Sequence, residues 1–227
     1  MKKIFLFLAV GVMLFAACKP REEGLQCNVD PDSVFGQHYV AWDFQIWYAL
    51  NENDMAYNDL LSMMNIDSNV TVLGYGLKVP YSDKAAVMAE ALKAVVNYID
   101  NDTNSYMPVW QDDVDSTSTL FFAYGFEAPD MTLPVLDGTE VEKAKTYYGP
   151  SGAIEVAMVF NKDAAERWAQ ITRENLGRNV VVMLGADREG RVLTAPRIMG
   201  EITGGRCSVV GLTVDEACAL AKILNNK

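Results

Sequence analysis

A chain of 227 residues, half of them hydrophobic, is long enough to bury one substantial core or two small ones. Its formal charge of −11 argues against nucleic acid and anionic lipid surfaces as partners, because both are held by clustered Lys and Arg. Beyond residue 17 no apolar run reaches the about 20 residues that a membrane-spanning helix needs.

Residues 1–17 read as a signal peptide. Lys2 and Lys3 precede an apolar core over 4–17 that is too short for a span and ends in Ala16 and Ala17. The residues before Cys18 resemble a bacterial lipobox, with Phe15 where an aliphatic side chain is usual. That resemblance implies that Cys18 is lipidated and opens the mature chain, and that the lipid alone attaches it to a membrane. Removing the leader takes the formal charge from −11 to −13. Residues 18–35 are expected to form a polar, flexible tether. The implied location is the envelope of a Gram-negative bacterium, on the periplasmic side or, given the acid pair Glu22 and Glu23, at the cell surface. Cys27, Cys207 and Cys218 remain, an odd number that cannot all pair internally. Cys207 and Cys218 are expected as small core residues, and a disulfide within the trio stays open.

In the region 36–148, Trp42, Phe44, Ile46 and Tyr48 give a strand pattern over 39–50, which a helix starting near Ser33 would also accommodate. Asp54 is expected to cap a short helix carrying Met55, Leu60, Leu61 and Met64. Residues 70–79 have strand propensity interrupted by Gly74 and Gly76. Ser82 then caps a helix whose Met88, Ala91, Leu92, Val95, Val96 and Ile99 share one face and must lie on a sheet. Residues 100–119, rich in Asp, Asn, Ser and Thr, read as a long loop, and 120–127 as a strand. Pro129 and Pro134 end it, Asp137 and Gly138 make a turn, and 141–148 is a further strand or an approach segment.

The region 149–227 is more regular. Ile154, Val156, Met158 and Phe160 share one side of a strand, and Asn161 caps a helix with Ala165, Trp168, Ala169, Thr172 and Leu176 on one face, stopped by Gly177. Strands over 179–184 and 191–195 flank the polar loop 185–190 as a hairpin, and 206–210 is a short strand. Thr213 and Glu216 form a capping box for a last helix with Ala217, Leu220, Ala221 and Leu224 inward. The expected fold class is α+β, with an antiparallel or mixed sheet and helices packed on one face.

Phe160, Ala164, Trp168, the run 171–175, Gly177, 180–184, 193–196, 202–206, Gly211 and 213–217 follow in an order that resembles the head subdomain of the first periplasmic domain of SecD/SecDF, the membrane component of bacterial protein export. The resemblance covers about a third of the chain and implies the head fold and a capacity to contact polypeptide. The loop 185–190 is an insertion relative to that pattern. Proton-driven motor activity in that family runs through transmembrane helices, so it is not expected here. A shared fold does not by itself carry an activity.

No residue pattern calls for a catalytic group, a metal or a cofactor. His38 is the single histidine, no Gly-x-Ser-x-Gly elbow is present, and the cysteines lack zinc spacing. Residues 100–104 alternate side-chain oxygens as a calcium loop does, but Ser105 and Gln111 stand where its glycine and glutamate belong, so a solvated acidic loop with Asp112, Asp113 and Asp115 is expected. Trp42, Trp47, Tyr48 and Trp110 are read as core in preference to groove lining. The expected role is a non-enzymatic envelope lipoprotein that binds a polypeptide or an envelope protein. Its contacts would be Asp187, Arg188, Glu189 and Arg191 on the hairpin, with Arg197 and Arg206 in the connection that follows. The alternative is an envelope hydrolase acting on glycan or peptide with carboxylates from the acidic loop, which requires a deep cleft with facing acids.

Overall fold

The computed structural model describes residues 24–99, 105–113, 115–128, 131–185 and 190–226. The first element, α1 (Pro31–Phe35), is capped by the Asp30 side chain and stopped by Gly36. A 3-10 turn, Ala41–Asp43, leads into β1 (Phe44–Ala49), followed by α2 (Met55–Met63), β2 (Thr71–Leu73) and β3 (Gly76–Pro80). Next come α3 (Lys84–Ile99), β4 (Met107–Asp112), β5 (Thr117–Tyr124), β6 (Phe126–Ala128), β7 (Met131–Leu133) and β8 (Leu136–Asp137). The chain closes with β9 (Val141–Tyr148), β10 (Ile154–Phe160), α4 (Lys162–Glu174), β11 (Val180–Leu184), β12 (Arg191–Thr194), β13 (Arg206–Val210) and α5 (Val214–Asn225). All strand pairings among the described residues are antiparallel, and the class is α+β.

An eight-stranded sheet runs β12-β11-β1-β5-β3-β2, with β4 added on β5 and β8 on β1. It draws strands from both sides of residue 148, because β1 bonds to β11 on one edge and to β5 and β8 on the other. Strand alternation then divides the core. Phe44 and Ile46 of β1, with Val180, Val182 and Leu184 of β11, face α4 and α5, while Leu120 and Phe122 of β5 face α2 and α3. The register Tyr48 opposite Tyr124 puts these two sets on the same side, so all four helices lie on one face. On the opposite face Trp47, Ala49, Val109, Phe121, Ala123, Val181, Met183 and Val192 close a separate core, around which the sheet curls to bring β12 beside β4.

A second sheet, β13-β10-β9, covers the far side of α5. Its inward row, Ile154, Val156, Met158 and Phe160, alternates with half-buried residues as the sequence predicts. Apolar burial on both sides of α5 accounts for the seven residues that it hides, among them Ala217, Leu220 and Leu224. The capping box of Thr213 with Glu216 and the Asn161 cap of α4 are both present.

Several expectations are corrected. The loop read over 100–119 contains β4 and the first residues of β5, whose Pro108 and Val109 are buried against the sheet; residues 100–104 themselves lie outside the described residues. Val96 and Leu176, placed on buried helix faces, are exposed: the buried stripe of α3 runs through Val87, Ala91, Ala94 and Val95 and turns Val96 outward, and Leu176 lies past the end of α4 at Glu174. Ser82 lies in a 3-10 turn ahead of α3 and does not cap it. Asp54 precedes α2, but its side chain accepts from Asn51 N and pairs with Arg178, leaving the helix without a side-chain cap. From Leu25 onward the stretch expected to be tether is docked: Leu25 N donates to Thr146 O, Lys222 Nζ to Val29 O, and α1 lies on α5. Cys27 is joined to Cys218 by a disulfide, so Cys218 is a bridging residue as well as a buried one, whereas Cys207 is a free, buried thiol.

Candidate functional site

A shallow open groove of about 260 Å³ lies between the turn Ala41–Asp43 and the two-stranded β6–β7 ribbon. It is lined by Trp42, Phe126, Leu133, Pro134, Val135, Asp137, Glu140 and Arg167. Two glycines let its walls meet: a Cβ at Gly125 would stand 1.9 Å from Leu133 O, and one at Gly138 would stand 2.1 Å from Ala41 O. The ribbon turns one face to the groove, since Phe126 and Leu133 are cross-strand partners and both line it.

The apolar part is unusually open to solvent for its residue types. Trp42 is 41% exposed and Phe126 45%, whereas Val135 beneath them is buried. Phe126 is fixed edge-on to Tyr48 at 6.0 Å, and Tyr48 leans on Tyr124 at 5.2 Å. Burial, reinforced by Tyr124, pushes the Tyr48 hydroxyl up to about 12, so it stays protonated at physiological pH.

The polar end is already engaged. Asp137 Oδ1 accepts from Thr139 N at 2.7 Å and Glu140 Oε2 accepts from Asp137 N at 3.1 Å, which caps the 3-10 turn Gly138–Glu140. The other Glu140 oxygen pairs with Arg167 of α4. Two carboxylates held this way suit a rim that orients a ligand, and neither faces the other across a deep cleft as hydrolysis of a glycan would require.

The residues singled out from sequence fall on separate elements. Arg191 begins β12, pairs with Glu216 and lies 5.9 Å from the Phe35 ring. Partial burial pushes the Glu216 carboxyl up, but hydrogen bonds from Thr213 and the charge of Arg191 outweigh this and hold it below its ordinary value. Arg197 Nε donates to Gly177 O at 2.7 Å, and Arg206 is exposed at the start of β13, opposite Val159. Asp187, Arg188, Glu189 and Cys18 lie outside the described residues. The connection between β12 and β13 is well braced: Ile202 N donates to Thr172 Oγ1, Gly177 N to Ile198 O, and Ile198 N to Arg178 O. This bracing leaves Leu176 and Met199 exposed beside Arg197.

His38 is exposed, with Nδ1 3.0 Å from Asp32 Oδ2. In the acidic turn Asp115 pairs with Lys78 and Asp112 with Lys84, and Asp113 accepts from Thr117 and Thr119. Among the described residues no group of three or more His, Cys, Asp or Glu is arranged to hold a metal, and no helix is long and apolar enough to cross a membrane. Of the four aromatics read as core, Trp47 is buried and Trp42 is a groove residue. Phe126, Leu133 and Pro134 carry no sequence signal as groove residues, because their place there depends on the pairing of β6 with β7 and on the turn Ala41–Asp43 opposite.

Residues 130–226 match the family model for the P1 head subdomain of SecDF. These residues form a SecD-head-like region. The protein translocase subunit SecDF of Thermus thermophilus is 33% identical over 98 residues, which is 43% of this chain and 13% of that protein. SecD of Acidaminococcus fermentans is 38% identical over 77 residues, covering 34% of this chain and 18% of that protein. The chain thus spans less than a fifth of the length of these relatives. A solved structure of SecDF, described as a membrane component that enhances protein export, aligns at 18% identity and a TM-score of 0.38 over 81% of this chain and 93% of that one. The SecD-head-like region begins ahead of residue 149 and includes β9, which pairs along the length of β10. It supplies six of the eight groove residues, while Trp42 and Phe126 come from outside it.

Proposed function

We propose that this protein is a non-enzymatic cell-envelope lipoprotein, anchored through a lipidated Cys18, that binds polypeptide through its SecD-head-like region without a proton-driven motor. The observation that carries the reading is the groove itself: two exposed aromatic side chains over an apolar floor, on the border of a region similar to translocase subunits. Its shallowness suits a chain laid along a surface. In this reading Asp187, Arg188, Glu189, Arg191, Arg197 and Arg206 remain further partner contacts, and exposed Leu176 and Met199 add apolar area beside Arg197.

The test is equilibrium binding of a fluorescent, permanently unfolded polypeptide to the intact domain and to a variant carrying Trp42→Ala and Arg197→Ala. Saturable binding that weakens in the variant is expected. Absence of saturable binding to the native protein would overturn the reading. Membrane association abolished by Cys18→Ser is the corresponding result for the anchor, and unchanged association would remove it.

A further inference from the structure

The aromatic groove and the exposed pair Leu176 and Met199 lie towards opposite ends of α4. Arg167 of that helix lines the groove, and Leu176 stands just past the helix end at Glu174. From Arg167 to Glu174 the helix rises about 10 Å. Side chains bridge the same interval: Phe126 meets the half-buried Tyr48 edge-on at 6.0 Å, and Tyr48 in turn interacts with Glu174 and Asn175. Leu176 and Met199 flank a backbone pairing in which Gly177 N donates to Ile198 O and Ile198 N to Arg178 O, so their exposure is built on braced chain. Beside them Arg197 Nε donates to Gly177 O. Arg167, Arg173, Arg178 and Arg191 each pair with a carboxylate, whereas Arg197 has no acidic partner among the described residues.

We propose that the groove and the Leu176–Met199 patch are one strip, which takes an extended polypeptide segment carrying two apolar side chains about four residues apart and an acidic residue beyond the second. The first apolar side chain lies between Trp42 and Phe126, the second against Leu176 and Met199, and the carboxylate pairs with Arg197. The proposal rests on the polypeptide-binding reading above and narrows its substrate class. An extended chain advances about 3.3 Å per residue and repeats its facing every second residue, so anchors at that spacing cover the interval and both point at the protein. Each apolar site alone is small, but two anchors on one chain reinforce each other, because the first to bind holds the second near its site. The unpaired guanidinium selects the acid, since its free N–H groups match a carboxylate and repel a lysine.

The experiment uses the intact protein and short dye-labelled peptides read by fluorescence anisotropy. The parent peptide holds two leucines four residues apart, then two glutamates, in a background of serine and glycine. Trp42→Ala and Met199→Ser should each weaken its binding about tenfold. Replacing its glutamates by lysine, or Arg197 by Gln, should cost about fivefold, as should moving the second leucine by one residue, which turns it away from the protein. An effect of Trp42→Ala with none of Met199→Ser, equal binding of the glutamate and lysine peptides, or indifference to leucine spacing would each overturn the strip and leave polypeptide binding in place. Self-association of the native protein that Met199→Ser abolishes would also overturn it, because a second copy would then be the occupant. A parent peptide that stays unbound while an unfolded chain binds removes the strip alone; if neither binds, both readings fall.

Discussion

Loss of the Cys27–Cys218 disulfide should cost more stability than any single surface contact in this protein. The two cysteines are 191 residues apart, so the bridge closes most of the described chain into one loop. The chain-entropy relation gives about 5 kcal/mol for a loop of that length at 25 °C, and native disulfides in small secreted domains contribute about 2–5 kcal/mol. Substituting Cys27, which is only partly buried, leaves the buried Cys218 side chain in place and avoids a cavity in α5. Urea unfolding of Cys27→Ser against the oxidised protein should therefore show a loss of about 3–5 kcal/mol, with a larger m-value because the unfolded chain is no longer cross-linked. Residues 24–36 should also become more sensitive to protease, since without the bridge they are held only by non-covalent contacts: the hydrogen bonds at Leu25 and Val29 and the packing of Leu25, Phe35 and α1 on the core. A loss below about 1 kcal/mol, with the segment still protected, would refute the reasoning that the bridge fastens this segment to α5.

Trp168 lies fully buried against Phe160, and its indole Nε1 has no hydrogen-bond partner among the described residues. Trp168→Ala should cost about 3–5 kcal/mol, whereas Trp168→Phe should stay within about 1 kcal/mol of the native protein, because removing an unpartnered N–H offsets part of the lost packing; thermal or urea unfolding of the pair distinguishes them. The hydrogen bond and charge of Lys78 hold Asp115 down to about 2, against an ordinary value of 3.8. The sign follows: any stabilisation from this depressed carboxyl is present above about 3.8 and is lost as pH falls through about 2. Carbon-detected NMR titration should find the Asp115 midpoint near 2 in the native protein and higher in Lys78→Met; an unchanged midpoint would remove Lys78 as the cause. Cys207, pushed up to about 12 by burial, should resist a thiol reagent in the folded protein and react fully after unfolding.

Much of the C-terminal half was legible because local signals there agree with the packing. The period-two apolar row of β10, the Asn161 and Thr213 caps and the inward face of α5 all repeat in the structure what the residues require. β4 is hard to read for a physical reason: Pro108, Gln111 and Asp112 dilute its strand character, and among the described residues it pairs only with β5, so it needs no continuous apolar run. The faces of α3 and α4 are legible at Ala91 and Trp168 but not at Val96 and Leu176, since an apolar residue at the edge of a helical stripe can turn outward and periodicity does not say that α4 ends at Glu174. The pairing of Cys27 with Cys218 depends on contacts 191 residues apart and leaves no local trace. The groove was legible only in part. Residue type alone puts Trp42 in the core, whereas its 41% exposure and the 45% of Phe126 are set by tertiary packing that leaves no local pattern.

The central claim, that a SecD-head-like region here binds polypeptide, is tested most directly in intact cells. A photo-crosslinking amino acid at Phe126 in the full chain, activated during a pulse of radiolabelled synthesis, reports what occupies the groove while export proceeds. Adducts to newly made, exported polypeptides that appear during the pulse and fade in the chase are the predicted result. Adducts absent at Phe126 and equally absent at Arg197 and Arg206, with the protein folded and abundant, would contradict it.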